Sequence, residues 1–530
     1  MSLTEETSNG LLAPKSHEAD YSLELNPKNV PSLGIQTYEY FVSDAAARGR
    51  AEGAFLNGDI CEIPYDYTRL SDEDIASQGL SLKQMSDEIG RVLSGIDSIA
   101  DPITAEMTFL SAGFRSRELD FIFAAQQLNS ISRNPDASIK DIIFAADRYR
   151  SLNEMLYGAP DTRIYEKCLG EIWANIESKN FGPNAQRIYQ ELVDGFMARG
   201  GFVMPLAYSH ERLPVIDKET DRWVKMQIHE QFGTYRNLLQ DHWEQIIIPR
   251  SELTGEDPVF DPSMDLLPLF ENALKMLDPD GSSGIKVVPV QNTSTISWDT
   301  PTQTLRVGID ERTTQIKSVD EAFGLLFHEL IGHCGRSISG LRTNAPVLGF
   351  GVFSDFDSGE NPDYLSFEEG YLSVLESIIN NKAVQTDGQW IVGNLRHYVN
   401  ISMVQLDGRS VADAFELTWR YSLLMGLKDG GDVDDAKIQG ARKVEARLIN
   451  RYRRSIPAGM PREAGPLSFN KDLAYTKGRI IAIPFLRYIA SRNDATSFQN
   501  SLKVKIDPTN RRQRDFAASN GYPIDYRLAT

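Results

Sequence analysis

The spacing of apolar and polar positions divides the chain into three stretches. Residues 1–33 hold Ser, Thr, Asn and Pro with no sustained apolar period, which predicts a disordered polar tail that contributes nothing to a core. From about residue 36 to 250, apolar residues recur at helical spacing in "LKQMSDEIGRVLSGI", "SRELDFIFAAQQLNSI" and "IKDIIFAADRYRSLNEML". A helical N-terminal region over 34–260 follows. The turn signal "DGSSG" at 280–284 then precedes two strand-like runs, "IKVVPVQ" at 285–291 and "STISWDTPTQTLRVGI" at 294–309, the second broken at "DTPT" into a hairpin. "SVDEAFGLLFHELIGH" follows, with Ser318 and Glu321 at capping-box spacing and Phe323, Leu326, Phe327 and Leu330 as an apolar face. Beyond about residue 367, "EEGYLSVLESIINN", "VADAFELTWRYSLLMGL", "AKIQGARKVEARLINRYRR" and "KGRIIAIPFLRYIASR" are of helical length. The predicted fold class is α+β, mostly helical, with a small sheet beside a histidine-bearing helix in a unit spanning 261–530.

That helix carries the candidate chemistry. His328 and His333 lie five residues apart, with Glu329 directly after the first. In a regular α-helix, positions five apart differ by about 140°, the wrong spacing for one metal ion. A π-bulge, which admits an extra residue through an i to i+5 hydrogen bond, brings both rings to one side. Gly332 is a place where a helix can loosen or end. Zinc accepts neutral imidazole, a hydrolytic zinc site uses three protein ligands, and a neighbouring carboxylate can take a proton from the attacking water. Glu329 is the candidate base.

The third ligand has several candidates: Asp355, Asp357 and Glu360 in a loop, and Glu368 or Glu369 at a helix start. The helical pair offers the firmer platform. Within it, the apolar phase of Tyr371, Leu372, Leu375 and Ile379 puts Glu368 nearer the buried side, whereas Ser366 and Glu369 have capping-box spacing. Two histidines and a glutamate near a helix end can also be a satisfied polar cluster, so the motif alone leaves both outcomes open.

Composition narrows the partners. Seventy-four acidic against 55 basic side chains give a net charge of −19, a field that repels phosphate backbones and anionic lipid. Nucleic acid and membrane are therefore not expected partners. Cys61, Cys168 and Cys334 are too few and too widely spaced for a disulfide framework, which fits a reducing compartment. The opening residues show no signal peptide and no stretch approaches the length of a membrane span, so a cytoplasmic location is expected. Cys334 beside His333 reads as a small buried residue rather than a thiolate nucleophile.

Read as HExxxH, "HELIGH" together with "FEEGYL" resembles the zinc metallopeptidase family sometimes called DUF1704, which includes the microtubule-associated tubulin-tyrosine carboxypeptidases and bacterial QEGLA-motif proteins. The resemblance covers about the last 270 residues, with an echo in "AEGAFLNGDICEIPYDYTRL" at 51–70. It implies a zincin-like metallopeptidase domain over 261–530, Zn2+ as cofactor, His328, His333 and Glu369 as metal ligands, and Glu329 as the catalytic base. Arg336 matches a basic residue common in the family at that place, and "EARLINRYRR" and "NKDLAYTKG" look like landmarks that help build the cleft. Two departures stand out. The family usually has glycine two residues before the second histidine, where this chain has Ile331, and "EEGYL" replaces "EEGLA".

The implied activity is a zinc metallocarboxypeptidase acting on a peptide or protein C-terminus. Its alternatives are an endopeptidase or aminopeptidase on the same centre, or a regulatory protein with a structural metal. Tyr371, Tyr475, His397 and Tyr398 are candidate oxyanion donors. Arg336, Arg451, Arg453, Lys471 and Lys477 are candidate partners for a terminal carboxylate. Of all these, Arg336, Tyr475 and Lys471 are the expected substrate-binding residues. "TLRVGI" is open to two readings, an edge strand that receives substrate or a closed core strand.

Overall fold

The computed structural model describes residues 86–87, 89–197, 212–254, 262–290, 296–299, 304–308, 316, 318–353, 364–383, 392–452, 456 and 460–527. The predicted tail at 1–33, the echo at 51–70 and the loop with Asp355, Asp357 and Glu360 lie outside them. The described chain is mostly helical with a small three-stranded sheet. No helix among the described residues is long and apolar enough to cross a membrane.

The upstream helices are α1 (Pro102–Arg133), α2 (Ile139–Tyr157), α3 (Thr162–Glu177), α4 (Pro183–Met197), α5 (Lys218–Thr254) and α6 (Pro262–Leu277). Their starts follow local chemistry. Asp101 accepts the Thr104 amide at 2.8 Å with a proline in the first turn of α1, and Ser138 and Asp141 cap α2 reciprocally. The largest cluster of buried apolar residues runs from Met107 to Tyr526 and includes Trp173 on α3 and Trp419 further on. It draws on both sides of residue 260, so the upstream helices share a core with the rest of the chain rather than closing one of their own.

The sheet has the order β1-β3-β2, with β1 (Lys286–Val290), β2 (Ile296–Asp299) and β3 (Thr304–Gly308). β2 and β3 form the antiparallel hairpin expected from "DTPT", and β1 runs parallel to β3. β3 is therefore central. The edge-strand reading of "TLRVGI" falls, because the ladder on both sides of Thr304–Val307 is already taken. Ile296, Trp298, Leu305 and Val307 form the buried face, which packs on the histidine segment.

That segment follows α7 (Val319–Leu326), whose start is capped by Ser318 accepting the Glu321 amide at 3.1 Å. It is a π-helix over Phe327–Cys334, which continues without a break into α8 (Gly335–Leu341). The chain does not end its helix at Gly332. A single turn, α9 (Val347–Phe350), precedes α10 (Leu365–Ile379), and α11 (Val392–Gln405), α12 (Val411–Gly426), α13 (Asp435–Tyr452), α14 (Leu473–Ser491), α15 (Ala495–Ser501) and α16 (Arg511–Ser519) complete the described order.

α10 and α14 make the most extensive helix pair. They meet at glycines: a Cβ on Gly478 would lie 2.7 Å from the Ser366 carbonyl carbon and 2.8 Å from the Gly370 nitrogen, and a Cβ on Gly370 would run into the Gly478 and Arg479 backbone. Only hydrogen at both positions allows this approach. Gly370 directly follows Glu369, so the contact that seats α10 also fixes the direction of the third candidate ligand.

Candidate metal centre

The π segment brings the two histidines together. Their ring centroids are 5.2 Å apart, which five residues of regular α-helix would not allow. The Glu329 carbonyl within the widened turn accepts the Cys334 thiol at 3.3 Å, and Cys334 is fully buried, with burial pushing its thiol up. Its bland reading holds.

α10 supplies the carboxylates. Glu369 Oε2 lies 4.0 Å from His328 Nε2 and 3.9 Å from His333 Nε2. One ligand atom from each of His328, His333 and Glu369 lies within 4.8 Å of the others, a cluster able to hold a metal ion. On the opposite edges, His328 Nδ1 is hydrogen-bonded to Glu376 at 2.9 Å, whereas His333 Nδ1 faces Glu368 Oε1 at 3.4 Å as an ion-pair contact without a hydrogen bond. Thus Glu368 is the more buried of the pair, as periodicity indicates, but its burial places it behind a histidine rather than among the converging ligand atoms. The N-cap of α10 is Tyr364, so Glu369 is not engaged in a capping box with Ser366.

The donor set fits zinc. Zinc takes borderline imidazole nitrogens together with a hard carboxylate oxygen, and tetrahedral zinc with bonds of about 2.1 Å sets its ligand atoms about 3.4 Å apart. The two carboxylate-to-imidazole separations need to contract by about half an ångström. Electrostatics favour a cation as well. Burial works against an imidazolium at His328, but Glu376, followed by Glu329 and Glu369, outweighs it and lifts the group to about 9. The carboxylates around the two rings, rather than protonation of the ring itself, are what favour a bound cation. Glu329 is half-buried, and burial raises its carboxyl despite His328 and His333.

The substrate-side candidates are distributed differently from the expectation. Arg336 is fully buried, with its Nε donating to the Val504 carbonyl at 2.9 Å and Nη2 to the Ile506 carbonyl at 3.2 Å. Its guanidinium is spent inside the fold and is not presented to a substrate carboxylate. Lys471 and Tyr475 are half-buried, at the turn before α14 and in its first turn. Lys477 donates to the Ala159 carbonyl at 2.9 Å, while Arg453 and the Arg451 side chain lie outside the described residues. Tyr371 is buried against Ser501 at 2.8 Å, and the Tyr398 hydroxyl accepts the Asp161 amide at 2.7 Å. His397 faces Asp472 at 3.8 Å.

Sequence reasoning missed Glu376 and Lys505. Glu376 lies two turns beyond Glu369, a spacing that puts both on one helix face, so a signal for it exists. Lys505 has no local signal. Its Nζ lies 3.4 Å from Glu368 Oε1, far along the chain. No family model, curated protein or solved structure matches this chain.

Proposed function

We propose that this chain is a zinc-dependent peptidase with a zincin-like catalytic unit. The observation that carries the reading is the convergence of His328 Nε2, His333 Nε2 and Glu369 Oε2 beside Glu329 on a π-helix. His328, His333 and Glu369 would hold the metal. When bound, zinc supplies Lewis acidity toward a peptide carbonyl and acidifies water. Glu329 accepts a proton from the attacking water and delivers it to the departing amine nitrogen as the C–N bond breaks. Glu376 keeps the Nδ1 hydrogen of His328 engaged, which leaves Nε2 as the ligand atom. Among the described residues three donors converge, the number of an open hydrolytic site, whereas a structural zinc takes a fourth protein ligand.

Carboxypeptidase action on a peptide or protein C-terminus is the form the family resemblance favours, with Lys471 and Tyr475 as the substrate-side candidates. The burial of Arg336 removes the leading clamp for a terminal carboxylate and favours, as a second reading, endopeptidase or aminopeptidase action on the same centre. One experiment tests both levels. Metal content of wild type, His333→Ala and Glu329→Gln is measured, with turnover of peptides that carry free or amidated C-termini. One zinc per chain, lost in His333→Ala and kept without turnover in Glu329→Gln, supports the peptidase, and cleavage of amidated peptides selects the second reading. Wild type that takes up no zinc after refilling refutes both.

A further inference from the structure

Behind the metal ligands a single carboxylate oxygen is shared by three cationic or donor groups. Glu368 Oε1 lies 3.4 Å from His333 Nδ1, 3.3 Å from Arg336 Nη1 and 3.4 Å from Lys505 Nζ. All four side chains are buried, Lys505 and Glu368 to within 1% and 2% of full exclusion. A buried lysine is costly unless paired, so a lysine held there needs a reason.

Lys505 lies on the segment that links α15 to α16, and this segment straps the metal helix. Its own amide donates to the Leu348 carbonyl at 2.7 Å and its carbonyl accepts the Val352 amide at 2.9 Å. On either side of it, the Val504 and Ile506 carbonyls take the Arg336 guanidinium. The ammonium sits 5.9 Å from the ring centres of both Trp298 on β2 and Tyr364 at the start of α10. One side chain therefore joins the sheet, the strap, α10 and, through Glu368, the second histidine.

We propose that Lys505 is a positioning residue for the metal centre, neutralising Glu368 from the C-terminal strap so that this carboxylate holds the Nδ1 edge of His333 and turns Nε2 toward the metal. Arg336 offers Glu368 a single nitrogen, Nη1 at 3.3 Å and without a hydrogen bond, since its Nε and Nη2 are spent on the strap carbonyls. Without the lysine, Glu368 keeps Arg336 as its one permanent cation, and a buried carboxylate left undercompensated is no longer fixed in place behind His333. The inference rests on the zinc reading of the site, and its test separates the two.

The experiment compares full-length wild type, Lys505→Met, Lys505→Arg and Glu368→Gln by zinc competition against a chromophoric chelator, by the visible spectrum of the cobalt-loaded protein, and by the melting midpoint in excess chelator. Lys505→Met is expected to weaken zinc binding about 10- to 100-fold and change the cobalt bands, Lys505→Arg to restore most of both, and Glu368→Gln to reproduce the loss. The Glu368→Gln arm stands on its own if Lys505→Met does not fold. Lys505→Met with a lowered chelator-state midpoint but wild-type zinc affinity and cobalt bands reduces Lys505 to a packing residue and overturns the inference alone. Wild type that binds neither metal overturns it together with the function above.

Discussion

Adding one methyl group at Gly370 tests the seating of the metal site more directly than changing a ligand does. A Cβ there comes closer than 3.0 Å, a separation real Cβ atoms essentially never show, to backbone atoms of Gly478 and Arg479. No side chain can rotate away to make room. Restoring ordinary contact parts α10 from α14 by roughly 1 Å or more at their crossing. Alanine recovers about 1 kcal/mol of helix propensity, while overpacking costs about 1–3 kcal/mol, with rigid backbone on both sides placing this case at the upper end. A net loss of about 2 kcal/mol follows. Glu369, the preceding residue, moves with the helix, and its oxygen starts 3.9–4.0 Å from the two Nε2 atoms, so the site opens beyond easy contraction. Zinc affinity should fall about 10- to 100-fold. Urea unfolding of the chelated protein reads the first effect and chelator competition the second. Gly440→Ala is the control, because that exposed position on α13 has nothing within 4 Å of an added Cβ and should gain up to about 1 kcal/mol. If Gly370→Ala and Gly440→Ala behave alike in both assays, the close helix approach and the role assigned to this glycine are wrong.

Glu376→Gln keeps an acceptor for His328 Nδ1 but removes its charge, and should weaken zinc binding about tenfold in the same competition assay; unchanged affinity would remove Glu376 from the site. Stripping zinc with a chelator should lower unfolding stability, by about 2.7 kcal/mol relative to protein held at a free zinc concentration a hundred times the Kd, and a midpoint insensitive to zinc would mean the cluster binds none. Glu445, buried on α13, is raised by burial from 4.5 to about 7 against the pull of Arg396 and Asn400. The folded state then binds this proton more tightly than the unfolded chain, so the group's contribution is present below about 4.5 and is lost as pH rises through 7, on the order of 3 kcal/mol in all. Glu445→Gln lacks that titration, so its stability relative to wild type should be higher at pH 8 than at pH 5 in urea unfolding, and an equal difference at both would count against the shift.

The parts of this structure legible in the sequence are those set by local spacing. A separation of five positions between His328 and His333 is incompatible with one metal on an α-helix, and the π segment over Phe327–Cys334 is the backbone solution that the spacing points to. Ser318 caps the helix before it, and β2 and β3 pair antiparallel on either side of the break that "DTPT" predicts, because both depend on a few neighbouring residues. The choice between Glu368 and Glu369 is of another kind. Periodicity ranks the two by burial, and burial is what a supporting carboxylate and a ligand share. Which of them faces the Nε2 atoms depends on the rotation of α10 about its axis, and that rotation is fixed by the Gly370–Gly478 contact with a helix a hundred residues away. Arg336 fails for the same reason. Its position on the metal helix suggests a side chain aimed at substrate, but the strap at Val504–Ile506 takes its donors from below. β3 likewise has the composition of an edge or a central strand until β1 pairs with it. Each of these outcomes turns on a long-range partner, and the same partners, the glycine crossing and the C-terminal strap, bear on the candidate metal ligands. Substitutions at these remote partners should therefore change metal affinity without touching a ligand, whereas a helix end that merely carried two histidines would not respond to them.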